Sequence, residues 1–178
     1  MTSLACGRLT AAITSVIGLA LVACAPALDW REAGLDDGRV AMLFPCRPDR
    51  HERTVRLDGD AVRMQMHSCN AGGATYSLAA TDAADPARVA PLLAAWRASA
   101  AANIGGIPAI EPLAISGTTP NPQSALLRIE GRLPDGRRVV EQAAFFVKGM
   151  RLYQAAAIGE SIDAESARTF FDSIRLAP

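Results

Sequence analysis

Two residue types in this 178-residue chain stand out for their chemistry: four cysteines, Cys6, Cys24, Cys46 and Cys69, and two histidines, His51 and His67. Thiolate and imidazole are ligand types that zinc prefers. Their spacing, however, matches no tight zinc pattern such as paired CxxC, so no metal is expected. Neither histidine has a serine and an aspartate set beside it, and no Gly-x-Ser-x-Gly elbow occurs. Asp36/Asp37 and Asp58/Asp60 are close carboxylate pairs of the kind used in acid–base work or calcium binding. Each pair sits beside a glycine, Gly38 or Gly59, where Asp serves to hydrogen-bond a turn. Ser166 follows Glu165 at what reads as a helix start. Gly72-Gly73 and Gly105-Gly106 lack the lysine of a phosphate loop. Met42, Met64, Met66 and Met150 read as core filling rather than a soft-metal site. No catalytic residue and no cofactor are expected.

The first residues carry a different chemistry. Residues 1–8 are polar with one positive charge, Arg8, and an apolar run of about fifteen residues follows, against the roughly 20 that a membrane-spanning helix needs. This is the form of a secretory signal. The tetrapeptide Leu21-Val22-Ala23-Cys24 resembles the lipobox of bacterial lipoproteins. That resemblance implies cleavage before Cys24, diacylglycerol on its thiol and acylation of the new amino terminus. Ala25, rather than Asp, follows the cysteine, which in that family favours sorting to the outer membrane. Each buried methylene of an acyl chain contributes about 0.8 kcal/mol, and several chains together make anchoring permanent. The expected organisation is a signal peptide over residues 1–23, a short tether over 24–28 and a single domain over 29–178. On this reading Cys6 is lost and Cys24 is lipidated. Cys46 and Cys69 remain in an oxidising compartment and are expected to form a disulfide.

Charge narrows the partners. Basic and acidic residues are equal in number, and removal of Arg8 with the signal leaves one negative charge in excess. A nucleic-acid binder needs a basic surplus, as does a polybasic membrane patch, so neither is expected. The expected partners are the membrane, reached through the lipid, and an envelope protein.

The remaining sequence supplies the elements. Residues 28–32, 40–44, 53–57, 61–69 and 75–81 read as strands, with turns at Asp36-Asp37-Gly38, Asp58-Gly59-Asp60 and Asn70-Ala71-Gly72-Gly73. Trp30 is expected to pack into the core. In residues 61–69 Val62, Met64 and Met66 alternate with Arg63, Gln65 and His67, the pattern of a half-buried strand with one wet face. Arg53, Arg63, Gln65 and His67 would form either a polar binding surface or a solvated sheet face. Asp85-Pro86 opens a helix with Val89, Leu92, Leu93, Trp96 and Ala100 inward, and Gly105-Gly106 closes it. Residues 107–119 are extended and broken by prolines. Residues 124–133 and 137–148 flank a Pro134-Asp135-Gly136 hairpin, and 150–158 follow Lys148-Gly149. Residues 143–147 and 153–158 are apolar on both faces and should be central strands. Asp163 caps a last helix with Ala167, Phe170, Phe171 and Ile174 inward.

Strands joined by hairpins, with two helices, describe an α+β fold with a mostly antiparallel sheet and a helix on each face. The order resembles the PsbP-like α/β/α sandwich, through Val40-Ala41-Met42-Leu43-Phe44-Pro45 and Arg151-Leu152-Tyr153, with Phe170-Phe171-Asp172-Ser173-Ile174-Arg175-Leu176 at the end. That resemblance spans most of residues 29–178 and implies an accessory or binding protein rather than an enzyme. The expectation is therefore a non-enzymatic lipoprotein on the periplasmic face of the outer membrane. Its rivals are a carrier of small apolar ligands and an envelope enzyme with an unrecognised site. Radiolabelled palmitate should mark the wild type and not Cys24→Ala. Equal labelling of both would contradict the anchor.

Overall fold

The computed structural model describes residues 28–178. The expected signal peptide, Cys24 and all of the expected tether but Leu28 lie outside the described residues. Ten strands and two helices follow in the order β1 (Arg31–Leu35), β2 (Val40–Phe44), β3 (Asp49–Leu57), β4 (Asp60–Ala71), β5 (Ala74–Asp82), α1 (Val89–Ile104), β6 (Ile107–Glu111), β7 (Ala125–Arg132), β8 (Arg138–Lys148), β9 (Arg151–Gly159), α2 (Ala164–Asp172) and β10 (Arg175–Leu176). The fold is α+β and its sheets are antiparallel throughout.

Seven strands form the main sheet in the order β3-β4-β5-β9-β8-β7-β6, and a three-stranded sheet has the order β1-β2-β10. Tight turns set the registers. Asp58-Gly59 and Gly72-Gly73 both have positive φ at their two central positions, the conformation that favours two-residue hairpins. The second sheet was not apparent in the sequence. Its first strand lies at Arg31–Leu35 rather than 28–32, and β10 adds only two residues to β2. Trp30 is half-buried and packs against the core on this side.

β8 and β9 are apolar on both faces, so each face needs a cover. On one face lies α1, which follows a short 3-10 turn (Pro86–Arg88) that Asp85 caps by accepting from the Ala87 N–H. The helix itself starts after Arg88 without a side-chain cap and is ended by Gly105 in the left-handed region. Its Leu92, Leu93, Trp96, Ala100 and Ile104 join Leu127, Ile129, Ala143, Phe145 and Val147 in one core. On the other face lie α2 and the small sheet. Phe170 meets Phe44 and Tyr76 edge to face at 5.5 and 5.1 Å between ring centroids. A helix on each face was expected; the small sheet sharing one of them was not.

Two ties hold the second layer down. Cys46 and Cys69 are disulfide-bonded across 23 residues, a closure worth about 3 kcal/mol in the chain-entropy model. The buried carboxylate of Asp36, in the β1–β2 turn, accepts the Tyr153 hydroxyl proton at 2.8 Å. It also pairs with Arg151 at 3.2 Å and Arg39 at 3.5 Å.

Candidate functional site

The site follows from how α1 lies on its sheet. At its start, Arg88 pairs with Asp60 at the β3–β4 hairpin. At its end, Ile104 sits on Gly131 of β7, where any Cβ would run into the Ile104 carbonyl. The helix therefore crosses the sheet diagonally. Its 16 residues span about 24 Å and its body is about 10 Å wide. Seven strands spaced about 4.8 Å apart are roughly 29 Å across. One helix cannot cover that face, and a hollow opens on each flank.

On the flank over β4, β5, β9 and β8 the hollow is a cleft of about 330 Å³, within the range of small-molecule sites. Met64, Met66, Ala79, Ala156 and Ile158 line its floor, and Trp96, Ala100 and Ile104 its wall. Ser77, Gln154 and Glu141 are the polar groups of the floor, Asn103 projects from α1, and Arg53 stands exposed at the β3 edge. Two wider, shallower hollows of about 660 and 620 Å³ adjoin it across Ile104, Leu133 and Ile158. They hold Glu130, Glu160, Arg132, Arg137 and Arg138, all solvent-exposed. Of these three hollows the smaller cleft alone contains a buried charge-bearing group. A further hollow of about 290 Å³ over the other face holds the buried, ion-paired Asp36 with Arg63, Gln65 and Arg151. On the opposite flank, Ala94, Ala98, Ala101, Pro108 and Leu127 line a hollow of about 270 Å³.

Glu141 is 7 % exposed. Its cross-strand neighbours are Ile129 and Ile158, and its partners on the same face of β8 are Val139 and Ala143. Among the described residues no group hydrogen-bonds or ion-pairs with its carboxyl. Burial alone raises its pKa from 4.5 to about 7. Buried carboxyls without a partner behave this way because the apolar surroundings penalise the charged form. The sequence reading missed Glu141. The signal was its period-two alignment with Val139, Ala143, Phe145 and Val147, all inward residues.

The residues singled out in the sequence fall elsewhere. Arg53 pairs with Met64 in the β3–β4 register and so faces α1, whereas Arg63, Gln65 and His67 face the small sheet. The four do not make one surface. His67 is not on a wet face but is buried, with Nε2 accepting from Arg50 Nε at 3.2 Å. Burial, then Arg50, then His51 hold its pKa below the ordinary imidazole value. His51 lies opposite Met66 and points to the α1 face, so the two imidazoles project from opposite sides of the sheet. With both sulfurs in the disulfide, Cys46 and Cys69 are committed to structure. Asp36 does more than turn chemistry, since its carboxylate joins the two sheets.

No protein-family model matches this chain, and no curated protein matches it in sequence.

Glu141 also makes stability depend on pH. The folded chain holds this proton more tightly than the unfolded chain. The cost of ionising it is absent below about pH 4.5, grows as pH rises through the window to about 7, and is complete above that. A shift of this size is worth on the order of 3 kcal/mol. Glu141→Gln should therefore gain on the wild type by roughly 1–3 kcal/mol between acid and mildly alkaline buffer. Denaturant melts in the two buffers measure this, and a gap independent of pH would contradict it.

Proposed function

We propose that this chain is a lipid-anchored binding module of the bacterial envelope, and that its binding element is the cleft beside α1. Cys24 carries the lipid and Ala25 directs the domain to the outer membrane, where it faces the periplasm. The N-terminal sequence supports that address. No helix among the described residues is long and apolar enough to cross a membrane. The sheet with a helix on each face is in keeping with a PsbP-like sandwich, the group that the strand and helix motifs resemble. The protein acts by holding a small ligand, on its own account or for an envelope partner within reach of the lipid surface.

One observation carries this reading. An open cleft of about 330 Å³, with both apolar and polar lining, contains Glu141, a residue 7 % exposed whose carboxyl has no protein partner among the described residues. Its oxygens open onto the cleft, and the apolar surroundings penalise the charged form of the carboxyl. A protein that keeps such a group at the floor of an open cleft bears that cost where a ligand can relieve it. Binding is favoured over catalysis because neither imidazole lines the cleft and Glu141 has no second carboxylate beside it there.

A neutral fluorescent probe, N-phenyl-1-naphthylamine, tests this. It should bind the chain of residues 25–178, whose two cores close within residues 30–176. Asn103→Trp, which places a large ring at the cleft mouth, should weaken binding at least tenfold. Ala98→Gln, on the opposite flank of α1, should leave it unchanged. Equal binding by wild type and Asn103→Trp would contradict the cleft as the site.

A further inference from the structure

The chemistry of the cleft also specifies the ligand. We infer that the cleft takes a small apolar molecule bearing a protonated amine, seated with its ammonium on the Glu141 carboxylate and its hydrocarbon body against Met64, Met66 and Trp96. The inference rests on the cleft being a binding site and adds the ligand's charge.

Three observations lead to it. First, Glu141 is enclosed by hydrocarbon: β7 sets Ile129 on one side and β9 sets Ile158 on the other. A cation brought there would be the carboxylate's sole counter-ion, in surroundings that strengthen the attraction. Second, no other charge competes at the floor. The remaining charged side chain of the cleft is Arg53 on β3, and His51 lies two residues before it on the same face. Glu130 and Arg132 of β7 stand exposed in the adjoining hollow, and β5, β9 and α1 contribute Ser77, Gln154 and Asn103 as their polar groups. Arg53 is exposed and belongs to the edge strand, four strand positions from β8. That is roughly 19 Å between backbones at ordinary strand spacing, and burial alone, without the Arg53 charge, accounts for the Glu141 shift. Third, the acceptors suit an ammonium. It carries three donors and no acceptor; the carboxylate takes one or two of them, and water in the open cleft can take the rest. A ligand carboxylate would meet Glu141 as a like charge and could bind only by sharing a proton with it.

The sign of the pH dependence follows. The ammonium stays charged well past neutrality, while Glu141 gains its charge around pH 7. The ionised fraction rises about tenfold between pH 6 and pH 8, and affinity should rise with it.

Octylamine, 1-octanol and octanoate are suitable probes for calorimetry on residues 25–178. Octylamine should bind tightest, about tenfold tighter at pH 8 than at pH 6. Glu141→Gln should lose at least tenfold in octylamine affinity along with the pH dependence. 1-Octanol should bind wild type and Glu141→Gln alike, which also shows that the variant keeps its cleft. Octanoate tighter than octylamine, or octylamine affinity indifferent to Glu141→Gln, would overturn the amine while leaving the cleft as a binding site. Failure of all three probes to bind would overturn the cleft reading itself.

Discussion

The structure depends on the burial of one sheet from both sides. β8 and β9 carry apolar side chains on each face, with Ala143, Phe145 and Val147 turned one way and Ala144 and Phe146 the other. At about 25 cal/mol per Å² of apolar surface removed from water, neither face can be left open without losing a large share of the folding free energy. The two covers are built differently. One face receives the small sheet and α2 together, drawn in by Phe44, Phe170 and Ile174 and tied by the disulfide and the Asp36–Tyr153 hydrogen bond. The other receives a single helix.

That asymmetry creates the site. A helix about 24 Å long, laid diagonally between Asp60 and Gly131, leaves sheet uncovered on both flanks. On one flank the exposed sheet is rich in Met and Ile and bears Glu141. A Glu at a position that the strand pattern reserves for apolar residues is a local conflict with the fold. Such conflicts concentrate where function requires them. The fold bears the desolvation of this carboxyl at a position that lines the cleft.

Much of this architecture was legible in the sequence. The hairpin turns at Asp58-Gly59 and Pro134-Asp135-Gly136 announce themselves through residues that tolerate or demand turn geometry. Asp85-Pro86 opens the short 3-10 turn that leads into α1, rather than α1 itself, and Gly105 ends the helix, both through capping chemistry local to the chain. The Cys46–Cys69 pairing followed from setting aside Cys6 and Cys24, the two cysteines that the resemblance to a lipobox assigns elsewhere. The small sheet was not legible, because β10 is two residues long and pairs with a strand more than 130 positions earlier. The direction of Arg53 was hidden for a related reason. Which face a strand residue takes depends on register, and one step of register reverses it. His67 fits the alternation of β4, but its burial comes from the layer that β1 and β2 lay over that face. Glu141 was visible as an inward-phased acid, yet its meaning required the diagonal helix that leaves it beside open space.

The central claim is that Glu141 is a buried carboxyl without a protein partner, held in reserve for a ligand. Carbon-13 NMR of glutamate-labelled protein, with Glu141→Gln to assign the resonance, measures this at the atom concerned. In the ligand-free chain the Glu141 carboxyl carbon should titrate with a midpoint near 7. A midpoint at the ordinary glutamate value of about 4.3 would mean that water or a protein group already satisfies it, and would contradict the account.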